Sequence, residues 1–229
     1  MDQWTTSQVE LAAIPQSSVA SDEEFVNAVT HGIGLVFAIV GALVMMAGVS
    51  SHSNTSLSIG CMSYLFTLVS VYAMSTLSHS ATSPRWRTLF RQLDQAFIFL
   101  LIVGTYTPFS VAHLHGVFWW GLLALMWCVA LGGFASKALF AHRVESSSVV
   151  PYLILGWISV IALPAIWGVV PPGEFALIVA GGACYTIGTF FLVNDERVRH
   201  FHAAWHLWVI AGSACHFLGL LVFVVQAGV

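Results

Sequence analysis

Charge is scarce in this 229-residue chain: only 7% of residues are Asp, Glu, Lys or Arg, against about a quarter in a soluble domain. That scarcity, with 58% hydrophobic residues and a mean hydropathy of +0.87, excludes a water-soluble globule and makes this a membrane protein. Seven basic residues against ten acidic leave a net charge of -3 and no basic stripe, so neither nucleic acid nor an anionic lipid surface is expected as the main partner. Cysteine is sparse too. Cys61, Cys128, Cys184 and Cys215 all lie in apolar runs rather than loops, which leaves no support for a disulfide framework or a zinc knuckle; they read as small core residues. The opening stretch MDQWTTSQVELAAIPQSSVASDEEF has no basic segment followed by an apolar one, as a cleaved signal peptide needs. Residues 1–26 are expected to form a polar, acidic, partly disordered cytoplasmic tail.

What is abundant is long apolar runs. Segments of about 20 residues, the length that crosses a hydrocarbon core, fall at roughly 27–49, 57–80, 92–113, 117–138, 148–169, 174–193 and 201–226. The expected fold is therefore an all-α integral membrane protein, a seven-transmembrane-helix bundle over residues 27–226. Pro151 suits a helix start, whereas Pro108 and Pro164 should kink the third and fifth spans. Arg85, Arg87 and Arg91, Lys137 and Arg143, and Arg197 and Arg199 all fall on one side of such a bundle. By the positive-inside rule that side is cytoplasmic, placing the N-terminus inside and the C-terminus outside, in the cell's inner membrane.

The polar residues inside these spans collect at one depth. His202 and His206 open the seventh span, His79 closes the second, Asp94 opens the third and His31 opens the first, all toward the cytoplasmic side. Four residues apart, His202 and His206 stack on one helical face about 6 Å apart, a spacing that suits two ligands of one ion. A catalytic zinc typically takes three protein ligands and leaves its fourth position to water. His79, with Ser75 one turn away in STLSH, is the obvious third donor. Imidazole suits zinc, copper, iron and nickel alike, so the spacing leaves the metal open. Asp94 reads as the only carboxylate within a span, and its cost in lipid turns it toward the bundle interior; there it can accept a proton beside a metal-bound water. His216, about 15 Å beyond His206 along the helix, is too far for the same ion and reads as a buried, hydrogen-bonded histidine. His200 is expected at the solvated interface, and His52, His113, His115 and His142 at the surface. Ser75 has an alternative partner in the carbonyl one turn back.

The run NAVTHGIG (27–34), the SxxxH of Ser75 and His79, the aspartate of RQLDQAFIFLLIVGTYTP, and HAAWH with His216 ten residues on together resemble the hemolysin III proteins, which belong with the progestin and adipoQ receptors, the adiponectin receptors among them. The resemblance spans roughly residues 25–226. It implies seven helices and a zinc ion near the cytoplasmic face, with His79, His202 and His206 as ligands and Asp94 near the metal-bound water. Ser75 matches the family's serine, and His31 matches a first-span histidine of supporting role. In place of the large cytosolic N-terminal region of the animal receptors stands a short acidic tail, as in a bacterial-type member.

The wider superfamily includes alkaline ceramidases, and bacterial members are associated with membrane fluidity and lipid homeostasis. The leading expectation is a zinc-dependent hydrolase of a membrane lipid amide or ester: zinc activates water and polarises the carbonyl, Asp94 manages the proton, and Ser75 helps stabilise the oxyanion. One alternative is a non-catalytic sensor or regulator whose zinc clamps the second and seventh helices. A cytolytic pore-former is a minor alternative, because seven apolar helices do not travel as a soluble toxin. No oligomeric state follows from the sequence.

Overall fold

A computed structural model describes residues 16–49, 54–140 and 148–225. Among them every regular element is helical: α1 (Gln16–Val49), α2 (Thr55–Ser80), α3 (Pro84–His113), α4 (Val117–Phe140), α5 (Val150–Ile158), α6 (Leu163–Ile166), α7 (Pro172–Leu192) and α8 (Phe201–Gly219). The last continues as a π-helical stretch, Leu220–Val225. Six of these helices are long and apolar enough to cross a membrane, which makes the chain a multi-pass membrane protein built as a helical bundle.

The fifth apolar run differs from the other six. Val150–Ile166 is only 17 residues long and is split into α5, a 3-10 turn at Ser159–Ala162 and α6, whose first turn holds Pro164. A proline has no N–H for the carbonyl one turn back, so this run breaks where a kink was expected. Pro108, by contrast, sits inside a helix that stays continuous. Two helices begin earlier than expected. Starting at Gln16, α1 takes in residues 16–26, while residues 1–15 lie outside the described part. With Pro84 in its first turn, where a missing N–H costs nothing, α3 carries Arg85, Arg87 and Arg91 on helix rather than loop.

Helix α3 is the centre of the bundle. Its apolar residues contribute to both hydrophobic cores: Leu101 and Phe109 pack with α1, α2 and α8, while Phe99, Val103 and Tyr106 pack with α4, α5 and α6. With no water to expel between helices in lipid, close van der Waals approach holds them together, and small residues permit it. A Cβ at Gly104 of α3 would collide with Thr67 Oγ1 of α2, and one at Gly181 of α7 with the His216 ring of α8. Of the four free cysteines only Cys61 is a core residue as expected; Cys184 and Cys215 are half-buried and Cys128 is exposed on the apolar flank of α4.

Candidate metal centre

Three helix ends meet at one end of the bundle. Helix α8 is launched by His200, whose backbone sits in the left-handed region at φ 64°, after the tight turns of 193–200. This start sends His202 and His206 down one face of α8 toward His79 in the last turn of α2. One ring nitrogen from each of His79, His202 and His206 lies within 4.8 Å of the others, and the ring centroids are 4.7–5.2 Å apart. His79 and His206 are buried, His202 half-buried.

The partners of these rings decide which nitrogens are free. His79 Nδ1 is 2.6 Å from Glu24 Oε2 and His202 Nδ1 is 2.7 Å from Asp195 Oδ2. His206 Nδ1 is 3.0 Å from Thr30 Oγ1, a hydroxyl whose own proton is directed to the carbonyls of Val26 and Asn27. In each case the Nδ1–H donates to an oxygen, so each neutral ring keeps its Nε2 lone pair. A carboxylate or hydroxyl behind each histidine is the usual support of a metal ligand, fixing tautomer and orientation. Nitrogens at 2.0–2.1 Å from a tetrahedral zinc stand about 3.3 Å apart, so the rings need to close in by an ångström or so. The donor set fits a divalent metal, with Glu24 and Asp195 offsetting its charge.

Asp94 and Ser75, expected beside this centre, line the same cavity as His202 and His206. Asp94 is half-buried, and Ser75 Oγ faces its carboxyl from α2. That hydroxyl is buried and makes no well-formed hydrogen bond, so the bond to a carbonyl one turn back is not formed. His31 stacks on His206 with ring centroids 3.5 Å apart and meets Tyr72 edge-on at 5.1 Å; it supports the His206 ring from behind.

Three expectations about other polar residues change. Asp94 is not the only carboxylate within the helices, since Glu24 lies in α1 and Glu174 in α7 is completely buried. His113 is not a surface residue: its side chain is 7% exposed and bonds Glu174. And the acidic run Asp22-Glu23-Glu24 is engaged with α3 and with the turn that leads into α8. Arg91 of α3 reaches Glu24 at 3.6 Å, Arg199 approaches Asp22 and Glu23, and Glu23 accepts the His200 N–H. As expected, His200 and His115 are exposed, and buried His216 hydrogen-bonds the Ile178 carbonyl through Nε2 at 3.1 Å. His52 and His142 lie outside the described residues.

Residues 19–217 match the family described as Haemolysin-III related. The chain belongs to that family. Hemolysin-3 of Bacillus cereus is 37% identical over 202 residues, 88% of this chain and 92% of that protein. A Hemolysin-3 homolog of Bacillus subtilis is 32% identical over 204 residues, 89% of this chain and 95% of its own length. The matched region of this haemolysin-III related protein contains Glu24, Thr30 and Asp195, the three supports that spacing did not reveal. Glu24 left one trace: it stands seven residues before His31, two turns up the same helical face. Asp195 left none, because the chain between it and His202 is turn.

Proposed function

We propose that this protein is a zinc-dependent hydrolase acting on an amide or ester bond of a lipid, at the cytoplasmic side of the inner membrane. The observation that carries the proposal is the set of three oxygen-backed imidazoles with one ring nitrogen from each within 4.8 Å of the others, of which His202 and His206 line, with Asp94 and Ser75, a cavity of about 1340 Å³. Its middle is lined by apolar side chains such as Ile98, Leu101, Ile102 and Val209, a surrounding suited to an acyl chain.

His79, His202 and His206 would hold the ion. A zinc ion there would supply water acidic enough to ionise near neutral pH and a Lewis acid for the carbonyl. Asp94 would accept a proton from the attacking water and return it to the leaving group. The Ser75 hydroxyl donates to the oxygen on which negative charge develops. Glu24, Asp195 and Thr30 keep the three rings in the tautomer that binds metal.

The test is purified protein assayed for fatty acid release from amide and ester lipids, with zinc measured in parallel. Wild type releases fatty acid, and Asp94→Ala retains zinc but loses release. Zinc retained, no lipid cleaved and a cellular effect indifferent to Asp94→Ala would defeat the proposal.

One observation favours a second reading, a sensor in which the metal is a clamp. Glu24 and Thr30 tie α1 to ligands on α2 and α8, so an ion would join three helices at once. On that reading His79→Ala abolishes function and lowers thermal stability, whereas Asp94→Asn changes neither.

A further inference from the structure

The cavity does not end at the histidines. It continues to the opposite ends of α3 and α7, where a second polar cluster is buried. His113, in the last turn of α3, holds Nε2 2.6 Å from Oε1 of Glu174 in the first turn of α7. The Glu174 side chain is 0% exposed and its Oε2 has no partner. A buried carboxyl with one unsatisfied oxygen is expensive, and the N-terminus of α7 offsets only part of that cost. A helix tie alone does not need it.

Further polar groups mark the way between the two ends. Tyr106 Oη and His216 Nδ1 are buried without a well-formed hydrogen bond, and both residues line the cavity. Because His216 gives its Nε2–H to Ile178, its Nδ1 presents a lone pair. The Tyr72 hydroxyl donates to Ser213 Oγ at 3.0 Å, and Ser213 Oγ lies 2.8 Å from the Tyr185 hydroxyl. Three hydroxyls from α2, α8 and α7 thus form one hydrogen-bonded chain, and Tyr185 also lines the cavity, its ring 5.6 Å from that of His216. At the histidine end the cavity reaches exposed Glu196.

Buried polar atoms in native proteins are satisfied by protein or by water, and ionisable groups inside membrane helices mark ion pathways and proton relays. We propose that this polar file, with water in the cavity, conducts protons along the bundle, and that Glu174 and His113 form its terminal acceptor. Cavity water protonates His113 at Nδ1 while its Nε2 proton passes to Glu174 Oε1; the carboxyl releases a proton from Oε2, and return of the ring proton to Nε2 resets His113. His216 Nδ1 takes a proton from one water and yields it to the next, and the Tyr185 hydroxyl, positioned by Ser213, gives its proton to one cavity water while taking another from the next. Each step moves one H⁺ and no electrons, and a complete passage restores every group. The apolar lining elsewhere excludes larger solutes. This inference does not depend on lipid hydrolysis.

The test uses the full chain in liposomes loaded with a pH-sensitive dye, with a potassium gradient and valinomycin driving proton entry. Wild-type liposomes acidify well above the protein-free rate and retain carboxyfluorescein. Glu174→Gln, Tyr185→Phe and His216→Gln each slow acidification toward the protein-free rate, and Glu174→Asp restores part of it. Flux equal to protein-free liposomes, flux unchanged in every variant that purifies as a folded species, or flux accompanied by carboxyfluorescein loss each overturns the proposal.

Discussion

At the scale of single residues, the centre divides into groups that would touch a metal and groups that hold those groups still. Replacing a ligand should remove the ion altogether: His202→Ala is expected to purify with far less zinc than wild type, read by elemental analysis. Replacing a support should weaken binding and leave the site in place. Glu24→Gln and Asp195→Asn are each expected to raise the zinc dissociation constant about 10- to 100-fold, measured by competition with a chelating dye. An unchanged constant in both would mean that the bonds of 2.6 and 2.7 Å do not orient the rings. The histidines were legible in the sequence because helical spacing places His202 over His206 and a count of spans brings His79 to the same depth. Their supports were not, because a side chain that reaches across from another helix obeys no periodicity. His113 was misjudged for the same reason: a histidine at a helix end is ordinarily solvated, and only the packing of α7 against α3 covers it.

Among elements, glycine decides how near two helices come. Thr67 of α2 sits directly over Gly104 of α3, with Thr67 buried and bonded to the Tyr64 carbonyl. A Gly104→Val substitution must push the helices apart, and we expect it to destabilise the protein by about 1–3 kcal/mol, seen as a lower thermal midpoint in detergent. Valine at Gly121, where a Cβ meets nothing within 4 Å, should leave the midpoint nearly unchanged. The left-handed backbone at His200 makes a separate claim. Glycine adopts that conformation without steric cost, so His200→Gly should not lower the midpoint. Helix positions were readable from the apolar runs, with six matching within a few residues at one end or both. The early starts of α1 and α3 escaped notice because hydropathy reports where lipid begins, and a helix can project beyond it. The split in the fifth run depends on Pro164 and on its neighbours, and the rule for proline alone could not tell a kink from a break or explain why Pro108 leaves α3 continuous.

For the molecule as a whole, the distribution of charge predicts an orientation that can be tested. If the loops and helix ends bearing Arg85, Arg87, Arg91, Arg197 and Arg199 are cytoplasmic, alkaline phosphatase fused after residue 229 is active and the same enzyme inserted between α2 and α3 is inactive. The reverse pattern would move the metal centre to the outer face and remove the inner leaflet as the source of its lipid. Which residues meet across the bundle depends on how the helices are arranged around α3, and spans counted along a line carry no information about neighbours. The contact of α1 with α8 belongs to that arrangement.

Thr30 and His206 are separated by 176 positions, which at about 5–20 residues per second takes the ribosome roughly 10–35 s to bridge. Over that interval the first helix stands in the bilayer with Asp22 and Glu23 lacking Arg199, and His79 lacking both companions. Assembly of the three-histidine cluster therefore waits for the last helix, and a chain stalled short of it leaves Asp22 and Glu23 without their cationic partner.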